Sequence, residues 1–299
     1  MVHPTAVVET RDLAAGTAVG AYSRIAAEVE IAGACSIGAH TLLEGPIQLA
    51  AGIEVGSYAY LRGPLVVEGG VRIGPRCCID AGSGAPAGIV LGEGAVVGSN
   101  ATIWPGVSVG KRACIEPGSV VDKNVPAMAV VAGNPARIVR YSGAPSVPSD
   151  VLAGSPAEVT ATLIRGVTLR RLPLYEDLRG NLTFGEEQRH VPFPIRRYFV
   201  SFAVSSEHVR GEHAHRTLHQ FLICVHGRVH IVADDGFNQA DFLLDRPTLG
   251  IHIPPMTWSV QYRFSADAVL LALCSENYDP ADYIRDYAEF LNLVREIKY

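Results

Sequence analysis

The segment RGEHAHRTLHQ sets His213 and His215 two residues apart. On a strand, two such side chains share a face, because strand side chains alternate with a period of two. Imidazole titrates near neutrality and is the commonest general acid–base group, so a pair on one pocket wall suits proton transfer. One such histidine alone would be read as a hydrogen-bonded core residue. The paired pattern after Arg-Gly is read as chemistry. Gln220 follows after a four-residue gap. Arg197 and Arg210 both precede the pair in sequence, and a guanidinium fork matches the oxygens of a diphosphate; the alternative for both is a solvated surface arginine. The first half of the chain has only two histidines, His3 and His40. His40, with Glu44 four residues on, is the base candidate there, against the alternative of a solvated turn residue.

The elements that carry these residues have two textures. From Val7 to Val121 every sixth residue is Ile, Leu or Val except Ala85. Period six is neither the 3.6 of a helix nor the 2 of a simple strand. It is the hexapeptide repeat of a parallel β-helix, with one short strand and a turn per hexad and three hexads per triangular coil. Anchors eighteen apart should stack inside, which puts Tyr22, His40, Tyr58 and Arg76 on one ladder and Glu44, Arg62 and Asp80 on another. The position four after each anchor is mostly small or aliphatic, as at Ser23, Cys35, Ala59 and Cys77. Gly follows many anchors, as turns with unusual dihedrals would require.

The repeat closes in VDKNVPAMAVVAGNPARIVRY, and from Tyr141 to about Thr160 the phase gives way to Pro, Ser, Gly and Ala. The boundaries are therefore a β-helix over 1–140, a linker over 141–160 and a second domain over 161–299. Beyond Leu163, short strand-like runs such as IRRYFVSF, HQFLICV, RVHIVA and AVLLALC alternate with turn residues. Such spacing suggests an antiparallel barrel or jelly roll. Asp279-Pro280 reads as an N-cap and first helical residue, and Ile284, Tyr287, Ala288, Leu291 and Val294 then follow helical spacing.

The chain has 299 residues, with 30 acidic and 25 basic side chains and a net charge of −5. That balance speaks against a nucleic-acid partner held by a basic face. No apolar run is long enough to cross a membrane and the start MVHPTAVVETRD is not a signal peptide, so the expected location is cytoplasmic. The six cysteines lack CxxC or zinc spacing, and no disulfide framework is expected.

The first half resembles the left-handed β-helix acyltransferases, and the hand of the coil is implied by that resemblance alone. GNPAR, with Gly133, Asn134, Pro135 and Ala136, is similar to the last-coil loop that in this family lies near coenzyme A between neighbouring subunits. GSNATIWPG, with Asn100, fits a late coil, and His40 with Glu44 fits the H-x-x-x-E stretch of amino-sugar N-acetyltransferases. The resemblance implies acetyl-CoA as cosubstrate and a homotrimer, or a dimer of trimers paired through the second domain. Residues 79–88, IDAGSGAPAG, depart from it: relatives carry an Asn-Asp pair and a long projecting loop there.

The second half resembles the cupins in its HxH, Gln220 and Gly227 spacing. Metal cupins carry Glu at the position of Gln220 and a late His at that of Ser259, so no metal is expected. The runs IRRYFVSF, RGEHAHR, LDRPTLGIHIPP and SENYDPADYIRDYAEF, with DLRGNL upstream, resemble the nucleotide-sugar 3,4-ketoisomerases over roughly Leu172 to Phe290. The resemblance implies His213 and His215 as the catalytic pair, with Arg197, Arg210, Gln220 and Tyr278 as substrate contacts. A Tyr pair frequent in that family is Tyr198-Phe199 here.

Together the two resemblances imply a bifunctional enzyme. One domain converts dTDP-4-keto-6-deoxyglucose to a dTDP-3-keto-6-deoxyhexose. The other acetylates a dTDP-3-amino-3,6-dideoxyhexose, and a separate PLP aminotransferase acts between them. The alternative is a catalytic cupin on a β-helix that only assembles trimers.

Overall fold

Hexads stack as their period requires. In the computed structural model, which describes residues 1–82, 88–147, 159–205 and 208–296, the chain divides into two compact units, Met1–Ser142 and Gly143–Tyr299. In the first unit, successive coils pair in parallel with a step of eighteen residues, as in Val29↔Ile47 and Ile47↔Leu65. The result is a three-sided β-solenoid whose walls have seven, five and eight strands. The hexad anchors and the residues two positions before them fill the interior: Ile25, Leu43, Leu61 and Ile79 stack fully buried on Ser23, Thr41, Ala59 and Cys77.

The corners correct the expectation about glycine. Gly20, Gly38, Gly56 and Gly74 are not in the left-handed region. They are small because coils touch there: a Cβ on Gly38 would stand 2.4 Å from Ser57 N. At the corner these glycines open, the left-handed positions belong to larger residues, Tyr22, His40, Tyr58, Arg76 and Asn100, with φ of 57°, 54°, 62°, 60° and 57°, whereas glycines such as Gly52 and Gly70 take the left-handed positions of another corner. His40, Tyr58, Arg76 and Asn100 each donate their N–H to a carbonyl of the coil before, as His40 does to Ala21 O at 2.8 Å and Asn100 to Pro75 O at 3.0 Å.

The step departs from eighteen at both ends and once in between. Val7 pairs with Arg24, seventeen on, which leaves the first anchor Val7 exposed rather than interior, and Cys114 pairs with Val130, sixteen on. Leu65 pairs with Ile89, Arg72 with Val96 and Cys78 with Thr102, each twenty-four apart. One coil is thus six residues longer than its neighbours. Residues 83–87 of the segment expected to be short lie outside the described residues. After that coil the register returns to eighteen until the last, as in Val90↔Ser108 and Val96↔Cys114. The solenoid ends in an antiparallel hairpin, Ala129–Gly133 with Ala136–Tyr141, whose first strand pairs with the coil before it.

The second unit is a jelly-roll barrel of two six-stranded sheets. Alternating residues such as Leu222, Cys224, Ile231, Ala233, Ile251 and Leu270 form the core between them. The outer face of one sheet carries Phe221 and Ile223 under Leu172, Val191 and Phe193. A second imidazole pair lies there, His219 Nδ1 and His252 Nε2 at 2.9 Å, beside Phe193.

Both ends of the stretch expected as linker join these sheets. Ser146–Val147 pairs with Asp241–Phe242, and Val159–Ala161 pairs with the strand Thr168–Arg171; residues 148–158 lie outside the described residues. The terminal helix is shorter than its periodicity suggested. Asp279 caps only the 3-10 turn Pro280–Asp282. Tyr283–Ile284 is then a strand that pairs with Ala214–His215, and the α-helix runs over Tyr287–Glu296. Backbone pairing with the histidine strand overrides the helical spacing of Ile284. No helix among the described residues is long and apolar enough to cross a membrane.

Candidate active site

The histidine strand Arg210–His215 is bent by a bulge. Gly211 faces Val260 and His213 faces Ser259, leaving Glu212 as the extra residue, with Gly211 and Glu212 at φ of 83° and 54°. An unbulged strand would turn Arg210 away from His213. The extra residue restores it to the histidine face, opposite Gln261. Arg210 is exposed, whereas His215 is buried.

The imidazoles meet edge to face, with ring centroids 4.8 Å apart and planes at 87°. Each Nδ1 is committed. His213 Nδ1 donates to Gly211 O at 2.8 Å, and His215 Nδ1 donates to Asp282 Oδ2 at 2.8 Å. The proton in each neutral ring therefore sits on Nδ1 and the lone pair on Nε2. Gln220 Nε2 lies 3.4 Å from His215 Nε2, so the amide donates to that lone pair. Asp282 is itself held, since its Oδ1 accepts from Thr217 N at 2.7 Å and Thr217 Oγ1 at 2.8 Å.

Burial sets the charge states. It lowers His213 from 6.5 to about 4, against the opposing bond to Gly211 O. Burial also lowers His215, but the Asp282 carboxylate opposes the shift. Burial alone would raise Asp282, yet its bonds from Thr217 and His215 hold it below the usual carboxylate range. At neutral pH the pocket thus presents two uncharged imidazoles, of which only His215 has a carboxylate to stabilise a proton it gains.

Three further side chains complete the wall. Arg197 and Gln220 both face Cys274 across neighbouring strands, and Arg197 Nη2 donates to Cys274 Sγ at 3.7 Å. The Arg197 guanidinium lies 5.5 Å from the ring centroid of Tyr278, which is exposed. Tyr283, paired directly with His215, has its ring centroid 4.8 Å from that of His213 and 4.4 Å from that of His215. The barrel therefore brings His213, His215, Gln220, Arg197 and Tyr278 together and sets Arg210 on the same face. Phe199 packs on the core with Arg197 near its ring, and Tyr198 on the other face is exposed. Asp282 and Tyr283 were missed in the sequence because Asp-Pro followed by helical spacing hid a strand. Among the described residues no group of three or more His, Cys, Asp or Glu is placed to hold a metal ion.

In the solenoid the expected residues spread over separate features. The His40 ring is stacked between Tyr22 at 5.1 Å and Tyr58 at 4.8 Å, which leaves its edge accessible. Glu44 accepts from Tyr60 at 3.4 Å. Asn100 takes the next corner above Arg76, twenty-four residues on. Gly133, Asn134, Pro135 and Ala136 form the exposed turn of the terminal hairpin, followed by Arg137, 3.4 Å from Asp122, and Arg140, 2.9 Å from Glu116.

A jelly roll with two neutral imidazoles of fixed tautomer on its inner wall defines a cupin equipped for proton transfer. Residues 165–295 match the family described as FdtA, WxcM-like, C-terminal. Residues 88–123 match the bacterial transferase hexapeptide, and residues 70–103 the hexapeptide repeat of succinyl-transferase. The chain is 38% identical over 121 residues to the TDP-4-oxo-6-deoxy-α-D-glucose 3,4-oxoisomerase of Aneurinibacillus thermoaerophilus, a match spanning 40% of this chain and 87% of that protein. Solved structures similar to it include a 3,4-ketoisomerase from Helicobacter canadensis, at 36% identity, TM-score 0.43, 44% of this chain and 98% of that one. Another is the WlaRB TDP-quinovose 3,4-ketoisomerase of Campylobacter jejuni, at 39% identity, TM-score 0.42, 43% of this chain and 99% of that one. Through its second unit the chain belongs to the FdtA family of sugar 3,4-ketoisomerases, here fused to hexapeptide repeats.

Proposed function

We propose that the barrel isomerises a dTDP-4-keto-6-deoxyhexose to the 3-keto sugar, and that dTDP-4-keto-6-deoxyglucose is its substrate. The observation that carries this is the pair of uncharged imidazoles, His213 half-buried and His215 buried, whose Nδ1 protons are committed to Gly211 O and Asp282. The 4-keto group acidifies the C3 hydrogen. One imidazole removes it through Nε2 and becomes imidazolium, and His215, backed by the Asp282 carboxylate, is the one equipped to hold that charge while the enediol exists. His213 shares the pocket as the second imidazole of the proton transfer. Arg197 and Arg210 supply guanidinium groups for the diphosphate, with Gln220 and Tyr278 as further contacts. A positioned acid–base group contributes about 10²–10⁴-fold. The test is deuterium wash-in at C3 of dTDP-4-keto-6-deoxyglucose by NMR. His213→Asn or His215→Asn should abolish it, and exchange at the normal rate in both variants would end the assignment.

The solenoid, in the same reading, is an acetyl-CoA-dependent N-acetyltransferase acting on a dTDP-3-amino-3,6-dideoxyhexose, assembled as a homotrimer. The hexapeptide match and the exposed Gly133–Ala136 turn, with Arg140 beside it, support the turn and its basic neighbours as the coenzyme A contact. The accessible edge of His40 supports it as the base that takes the amine proton, with Glu44 toward the substrate. The 3-keto product must become an amine before it can be acetylated, so a PLP-dependent aminotransferase acts between the two steps. Free-thiol release from acetyl-CoA in the presence of the amino sugar tests this half. Silence there, in a protein that isomerises, would leave the solenoid as a scaffold for assembly.

A further inference from the structure

Conversion of a 4-keto to a 3-keto sugar moves two protons. One passes from C3 to C4 and one from O3 to O4, with no oxidant or reductant. Two histidines account for the carbon protons. The oxygen proton needs a group that can give a proton to O4 and later take one from O3, and a short hydroxyl between both imidazoles is suited to that task.

Tyr283 occupies that place. It lies opposite His215 in the strand ladder, and cross-strand partners share a face, so its ring enters the pocket with the imidazole. Its ring contacts both imidazoles, with centroids 4.8 Å from His213 and 4.4 Å from His215. Two guanidinium groups surround it. That of Arg285 stands 4.3 Å from the ring centroid, and Arg197 faces the phenol from the neighbouring sheet and gains stabilisation of its own charge from it. The inward position on strand Arg197–Phe202 that could have supplied another hydroxyl is Phe199.

We infer that Tyr283 is a catalytic residue of the isomerisation, the carrier of the oxygen proton. The inference rests on the ketoisomerase reading of the same pocket. As the base takes the C3 proton, the C3–H electron pair becomes the C3=C4 bond of the enediol. The C4=O π pair takes the phenol proton, leaving a phenolate beside Arg197. In the second half, the phenolate takes the O3 proton, and the O3–H pair becomes the C3=O bond. The C3=C4 pair then takes a proton from imidazolium at C4. Tyr283 ends as it began.

Tyr283→Phe keeps the ring contacts and removes the hydroxyl alone. Deuterium exchange at C3 and conversion to the 3-keto sugar are measured on one preparation beside wild type. The expected result is conversion and C3 exchange both reduced about 100-fold, because the phenol proton is taken up in the step that breaks the C3–H bond. Conversion or exchange close to wild type would overturn the inference. Replacement of Tyr283 by 3-fluorotyrosine, a better acid of nearly the same shape, is the second measurement. It should move the basic limb of kcat to lower pH, and an unmoved limb counts against the proposal. A wild-type protein that neither exchanges nor converts removes the ketoisomerase reading itself, an outcome distinct from active wild type with an indifferent Tyr283→Phe.

Discussion

Asp282→Asn changes a carboxylate oxygen into an amide without altering shape. The oxygen that accepts from Thr217 N and Oγ1 at 2.7 and 2.8 Å has a carbonyl counterpart in Asn, so those bonds persist. The other oxygen, 2.8 Å from His215 Nδ1, becomes an NH2 donor facing an N–H donor. The conflict is relieved if His215 moves its proton to Nε2, which removes the lone pair from the pocket. The side chains of His215 and Asp282 are only 7% and 11% exposed, so the bond is shielded rather than a surface pair. Its loss should lower stability by about 1.5–3 kcal/mol, the usual worth of a hydrogen bond to a charged group. The wrong tautomer should cost kcat about 10²–10⁴-fold, with little change in KM because the residue lies behind the imidazole. Without the carboxylate nothing opposes burial, so His215 should titrate lower still and any limb it sets in the pH–rate profile should shift to lower pH. Urea unfolding gives the stability term, and NMR-monitored conversion across pH gives the rest. An Asp282→Asn variant with kcat within threefold of wild type and an unmoved limb would refute the view that Asp282 fixes the tautomer.

His213 and His252 are each lowered by burial from 6.5 to about 4, so both stay neutral in the folded state while the unfolded chain takes up protons. The stability this gives is present above pH 6.5 and lost as pH falls toward 4, by up to about 3 kcal/mol per histidine; urea midpoints at pH 7 and 4.5 should differ less in His252→Gln than in wild type. Because Gln220 and Ser259 stand where metal cupins hold ligands, isomerase activity should survive exhaustive chelation, and loss with EDTA restored by a divalent ion would contradict it. His40→Ala should leave isomerisation intact and reduce acetyl transfer about 10²-fold or more if its edge is the base, as thiol release will show. Sedimentation at micromolar concentration should find a trimer, and a monomer would weaken the acetyltransferase reading.

What the sequence disclosed followed from what is periodic. The hexad is a local rule repeated many times, so Ile25, Leu43 and Leu61 announced their burial before any coil was seen. His213 and His215 were legible for the same reason, since alternation along one strand puts both on one face. Gly38 shows where local reading falls short, because its smallness is imposed by Ser57 of the next coil rather than by its own dihedrals. The hidden parts of the pocket depend on long-range pairing. Asp282 lies 67 residues from His215, and helical spacing around Ile284 concealed the bridge that brings it there. Arg210 needed a one-residue bulge to join the histidine face, and such a bulge has no periodic signature.

The coil that steps by twenty-four has a consequence for how this chain can change length. Inside and outside alternate on a fixed count, so an insertion within a wall would turn polar side chains inward unless it came in a multiple that preserves the phase. The step from Cys78 to Thr102 exceeds its neighbours by one whole repeat, and the walls on either side resume in register. Length in this solenoid is therefore quantised: an excess of six residues leaves the walls before and after it in phase, whereas a single residue inserted in the strand Leu65–Val67 would turn its buried side chains outward and should not be tolerated.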